Sequence, residues 1–85
     1  MVLVLNKEIV FGSVAGETMI LNTKTGTYYT LNQQGTGIWN LYYKGKTIRE
    51  IKQYYADLYP ESAEVIDQDV DSFFAELKEN HIITE

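Results

Sequence analysis

Eighty-five residues carrying a formal charge of −5 and no cysteine have room for one domain, residues 1–85, with a single two-layer core. The charge excludes nucleic acid as an expected partner, because phosphate backbones are held by clustered Lys and Arg, and only Lys44, Lys46, Arg49 and Lys52 fall close together, among acidic residues. Without thiols there is no disulfide framework and no cysteine nucleophile, which fits a cytoplasmic protein; the apolar start "MVLVLNKEIVFGSV" is too short for a membrane span and lacks a basic leading segment.

In chain order, Ile9 to Ala15, Thr18 to Asn22 and Thr27 to Leu31 alternate with period two, and the turns "AGE" and "TKTG" between them predict an antiparallel meander. After Asn32 the period becomes helical. Ile38, Leu41 and Tyr42 fall on one face beside Trp39, and the helix is expected to end near Gly45. Its first two turns contain Gly35 and Gly37, each costing roughly 1 kcal/mol against alanine in a helix interior, so both require a structural reason. Thr47 opens "TIRE", a capping box closed by Glu50, ahead of an apolar stripe of Ile48, Ile51, Tyr55 and Leu58. Pro60 stops that helix. Ser62 is positioned to cap the last and longest helix, in which Ile66, Val70, Phe73, Phe74 and Leu77 recur at helical spacing up to Asn80. The tail "HIIT", His81 to Thr84, is apolar enough to fold back onto the core. The predicted class is α+β, a three-stranded antiparallel sheet followed by three helices in the order of a winged helix-turn-helix.

Residues with catalytic chemistry are sparse. His81 is the single histidine, so neither a histidine metal cluster nor a triad with a second histidine can form; it reads as a helix-end residue favoured by the C-terminal dipole. "DQDVD" at Asp67 to Asp71 lacks the glycine and final glutamate of a calcium loop and lies within a helical pattern, so it reads as a solvated face. "GTG" at Gly35 to Gly37 has no third glycine or lysine to cradle a phosphate. The seven tyrosines have no basic groove beside them to hold a stacked nucleic acid, so they read as packing. As a DNA reader the last helix is unsuited, since Glu64, Asp67, Asp69, Asp71, Glu76 and Glu79 oppose a single Lys78. No catalytic residue, metal ligand set or cofactor is expected.

The order "GETMILNTKTGTYYTLNQQGTGIWNLYYKGKTIREI" followed by "DVDSFFAELKENHII" resembles the PQQ-synthesis protein D family, small peptide-recognition domains also called RiPP recognition elements. The likeness runs from about Val10 to Ile83. It rests on "TGTYYTLN" before a small-residue helix start and "IW", then Gly45, the Thr47-capped helix, and Asp69, Val70, Phe73 and Leu77 in order. One departure is His81, where members often have glycine. The resemblance implies that the third strand lies at the sheet edge and that the leader of a precursor peptide adds there as a further strand, in the groove with the last helix. Gly35 and Gly37 would then let the first helix pack closely on the sheet, with Trp39 plugging the core.

An edge strand "TYYTL" has no proline or inward charge to blunt it, so it invites a partner strand. Main-chain pairing at roughly 0.5–1.5 kcal/mol per bond does not offset the several kcal/mol cost of association, so apolar anchors are also needed, each contributing about 1.5–3 kcal/mol on burial. The expected peptide-binding residues are Thr27, Tyr28, Tyr29, Thr30 and Leu31 on the strand and Val65, Asp69, Phe73 and Glu76 on the helix. The expected role is a non-catalytic, cytoplasmic module that presents a precursor to a separate maturation enzyme: a leader peptidase, a cyclase or a radical enzyme. A lasso-peptide pathway fits a free-standing domain, with PQQ synthesis and radical modification as alternatives. The competing reading is an acidic winged-helix regulator acting through protein contacts.

Overall fold

Ala15 and Gly16 both take left-handed backbone angles, φ 54° and 80°, the combination that a two-residue hairpin turn requires. The turn therefore claims Ala15, and the strand before it ends one residue earlier than its period suggests. The computed structural model describes residues 3–84. Met1 and Val2 of the apolar start, and Glu85, lie outside the described residues. The elements are β1 (Val4–Leu5), β2 (Ile9–Val14), β3 (Glu17–Asn22), β4 (Tyr28–Leu31), α1 (Gln33–Tyr43), α2 (Ile48–Leu58), a single 3-10 turn (Pro60–Ser62), α3 (Ala63–Glu79) and β5 (Ile83–Thr84).

β2, β3 and β4 form an antiparallel meander in that order. Its inward face carries Ile9, Phe11, Thr18, Ile20, Tyr29 and Leu31, which meet the helices. Ile20, Trp39 and Ile51 have no exposed surface and, with Val70, Phe74 and Leu77, form the core between sheet and helices. Trp39 meets Phe11 edge to face at 5.1 Å. Among the described residues its buried indole N–H has no hydrogen-bond partner.

A chain of hydroxyls ties the start of α1 to the sheet. Thr18 Oγ1 lies 3.1 Å from Ser13 Oγ and donates to Thr36 Oγ1 at 2.9 Å, and Thr36 Oγ1 donates to the Leu31 carbonyl at 3.4 Å. Thr36, between the two glycines, is thus the residue of that triplet that faces the sheet. α1 ends in a glycine cap: Gly45 has φ 99°, its N–H donates to the Tyr42 carbonyl, and the Lys46 N–H donates to the Leu41 carbonyl.

The Thr47–Glu50 capping box is formed in both directions. Ser62, in contrast, makes no side-chain cap. The turn at Pro60–Ser62 already leads into α3, and the Ser62 N–H donates instead to the Tyr59 carbonyl. At the other end of α3 the His81 N–H donates to the Lys78 carbonyl and the Ile82 N–H to the Leu77 carbonyl. Histidine here takes φ 58°, so the turn for which glycine is suited is kept without glycine. The chain then folds back: Ile82 and Ile83 are buried, and β5 pairs with β1 through Val4↔Thr84 and Leu5↔Ile83. That small second sheet carries no sequence signal, because its two-residue strands meet across almost the whole chain.

Candidate functional site

Among the described residues β4 is paired on one side only, with Tyr28, Tyr29, Thr30 and Leu31 opposite Leu21, Ile20, Met19 and Thr18. The Asn22 N–H donates to the Thr27 carbonyl at 2.8 Å, which makes Asn22 and Thr27 a hydrogen-bonded pair. Because such pairs alternate along an antiparallel ladder, Tyr29 and Leu31 turn their main-chain groups toward β3. Tyr28 and Thr30 turn theirs to the open edge. Side chains divide the same way: Tyr29 and Leu31 are half-buried against the core, whereas Tyr28 is 62% exposed on the outer face beside Met19 and Leu21. Thr27 lies just before the strand, where its hydroxyl bonds to that of Thr25.

Asn32 ends β4 and caps α1, its side chain accepting from the Gly35 N–H at 2.9 Å. A Cβ on Gly35 would stand 3.3 Å from both Leu31 Cβ and Phe73 Cε1. That glycine therefore brings the end of β4 and the middle of α3 onto a common floor, where Phe73 is half-buried and packs edge to face on Phe74 at 5.3 Å. A Cβ on Gly37 would meet Tyr55 Oη at 2.5 Å. The expectation that the glycines pack α1 on the sheet holds for Gly35, which approaches Leu31 of β4 as well as Phe73 of α3, and is corrected for Gly37, which admits Tyr55 of α2.

Of the four α3 residues expected at the site, Phe73 reaches the junction with Leu31. Val65 is 59% exposed, and Asp69 and Glu76 lie on the solvated side of the helix. Asp69 also lines a cavity of about 350 Å³ between the first turn of α1, the end of α2 and α3, together with Gln34, Ile38, Tyr55, Ile66 and Val70. Burial there pushes the Tyr55 hydroxyl above its ordinary pKa, reinforced by neighbouring Tyr54 and Tyr59. Ile38, Tyr55, Ile66 and Val70 were expected as apolar packing stripes, and of the cavity residues Asp69 alone was expected at a site. The one available signal was the cost of glycine inside a helix, which marked Gly37 as a place of close approach.

The sequence-adjacent basic residues separate in space. Lys52 bridges Asp67 at 3.2 Å and Asp71 at 2.8 Å, joining α2 to α3, and this explains two carboxylates of "DQDVD". Lys46 and Arg49 instead share a cavity with Lys78 near the start of α2. Among the described residues no helix is long and apolar enough to cross a membrane.

Two solved structures share this fold. One, described as "TbiB1 in Complex with the TbiA(beta) Leader Peptide", superposes with a TM-score of 0.86 at 25% identity over 94% of this chain and 93% of that one. The other, "Lasso peptide synthetase B1 complexed with the leader peptide", has a TM-score of 0.87 at 20% identity over 98% of each chain; at that identity it speaks for the fold alone. No curated protein matches at the level of sequence. Residues 17–83, from the start of β3 to the first residue of β5, match the family described as Coenzyme PQQ synthesis protein D, and the chain belongs to that family.

Proposed function

We propose that the chain is a RiPP recognition element, a non-catalytic module that binds the leader of a ribosomally made precursor peptide as a strand added to β4. The observation that carries this reading is the open edge: Tyr28 and Thr30 present their main-chain groups outward beside the apolar junction of Leu31 and Phe73. A strand lying there gains main-chain hydrogen bonds at Tyr28 and Thr30. Between β4 and α3 its inward side chains meet Tyr29, Leu31 and Phe73, which supply the apolar burial that pairing alone cannot. Asp69 and Glu76 flank the path as rim charges, and Val65 extends it along α3. Thr27, tied into the preceding turn, bounds the strand.

The likeness to TbiB1 bound to a leader peptide supports the peptide class and favours a lasso-peptide pathway. The bound leader would hold its core peptide for a separate cytoplasmic maturation enzyme, of which a leader peptidase suits that pathway best. Calorimetric titration of the purified chain with leader peptides from precursors encoded beside its gene tests the reading. A saturable one-to-one isotherm with one of them is expected. Failure of every neighbouring leader to bind would reject it.

A further inference from the structure

Strand addition explains the β4 edge and leaves the cavity between the three helices without a role. Its walls are Ile38, Ile66 and Val70, its aromatic side is Tyr55 and Tyr59, and Asp69 stands in its lining. The aspartates on either side of Asp69 in sequence both hold Lys52, but the Asp69 carboxylate has no hydrogen-bond or ion-pair partner among the described residues. The Tyr55 hydroxyl, lying over Gly37, has none either. An aliphatic side chain entering this cavity would cover the walls and leave both polar groups without a partner. A long apolar stem with a planar cation at its tip satisfies every surface. The stem lies along the aliphatic walls, the cation faces the tyrosine rings, and its N–H groups find an acceptor in the Asp69 carboxylate. The chain's charge of −5 favours such a ligand over an anionic one.

We propose that this cavity is a second recognition subsite that receives an arginine side chain of the bound peptide. The proposal rests on the leader reading for delivery of that side chain. Gln34 of the cavity adjoins Gly35 of the junction, and Asp69 lies about one helical turn (~5.4 Å) before Phe73. A peptide leaving β4 at Leu31 therefore reaches the cavity within about two or three residues, at ~3.3 Å each.

Acetyl-arginine methylamide and acetyl-leucine methylamide, titrated separately into the isotope-labelled chain and followed by amide NMR, test the subsite without a leader. The arginine probe should shift Ile38, Asp69 and Val70 saturably, and the leucine probe should do so only at higher concentration. Asp69→Asn should weaken the arginine probe about fivefold, the upper range for an exposed charge pair, and leave the leucine probe unchanged. Equal or stronger binding of the leucine probe would overturn the proposal, as would an Asp69→Asn variant that binds arginine like the parent, or an arginine probe that moves none of these amides. Neither probe is long enough to add a strand. A leader that fails at β4 would therefore leave this result standing, and failure of the probes would leave strand addition standing.

Discussion

His81 shows at the scale of one residue how a local rule and a family habit can be separated. A non-glycine residue in the left-handed region costs roughly 1–2 kcal/mol, and the hydrogen bonds closing α3 require that conformation of whatever side chain stands there. His81→Gly should therefore stabilise the chain by about 0.5 kcal/mol after the extra unfolded-state freedom of glycine is subtracted, raising the melting temperature by roughly 2–4 °C. Gly37 offers the opposite case. Gly37→Ala gains about 1 kcal/mol of helix propensity but drives a methyl against Tyr55 Oη, so it should be neutral or destabilising in the parent. In a Tyr55→Phe background the next ring atom lies 3.8 Å away, and the same change should stabilise. Trp39→Ala should cost about 3–5 kcal/mol and unfold most of the protein. Phe73→Ala, at a half-buried site, should melt well above Trp39→Ala while weakening leader binding markedly. A melting temperature as low as that of Trp39→Ala would assign Phe73 to the core.

At the scale of elements, the ladder registers of β4 decide between neighbouring positions. Proline at Thr30 removes an outward N–H, and proline at Tyr29 removes one engaged with β3. Thr30→Pro should therefore keep the fold and lose leader affinity, and Tyr29→Pro should lose stability first; circular dichroism melts beside titrations separate the two. The clamp between α2 and α3 has its own signature. Asp71, then Asp67, hold the Lys52 ammonium above its ordinary pKa, so its contribution is present below about pH 10.4 and lost as pH rises through the raised value. Glu50 is held below the ordinary carboxylate range by hydrogen bonds from Thr47, so its contribution is present above about pH 4.3 and lost as pH falls through the lowered value. In melting temperatures measured against pH, Lys52→Met should flatten the alkaline limb and Glu50→Gln the acid limb. Elements of this kind were legible in the sequence where the signal is local: the period of the meander, the Thr47 capping box, and the stripe of α3. The pairing of β1 with β5, the displacement of the Ser62 cap by a 3-10 turn, and the contact of Gly37 with Tyr55 all depend on residues distant in sequence or on backbone that propensity does not fix. The same limit applies to the candidate site: the periods of β4 and α3 marked Leu31 and Phe73, which meet at Gly35, but no local pattern marks the helix cavity.

For the whole molecule, the excess of acidic over basic residues has a kinetic consequence, because charges at an interface rim act mainly on encounter. If the bound leader is basic near α3, Asp69→Lys with Glu76→Lys should slow association and flatten its salt dependence in stopped-flow mixing. Unchanged rates at low salt would remove both residues from the path. Among the described residues β2 also has an open outer edge, at the far side of the sheet from β4, so binding of a strand somewhere is a weaker statement than binding at β4. Amide hydrogen exchange of the free and leader-bound chain separates the two most directly. Tyr29 and Leu31, already turned toward β3, should change little, whereas the Tyr28 and Thr30 amides should pass from rapid exchange to protection at saturating leader. A leader that binds tightly while Tyr28 and Thr30 continue to exchange as in the free chain would contradict strand addition at β4.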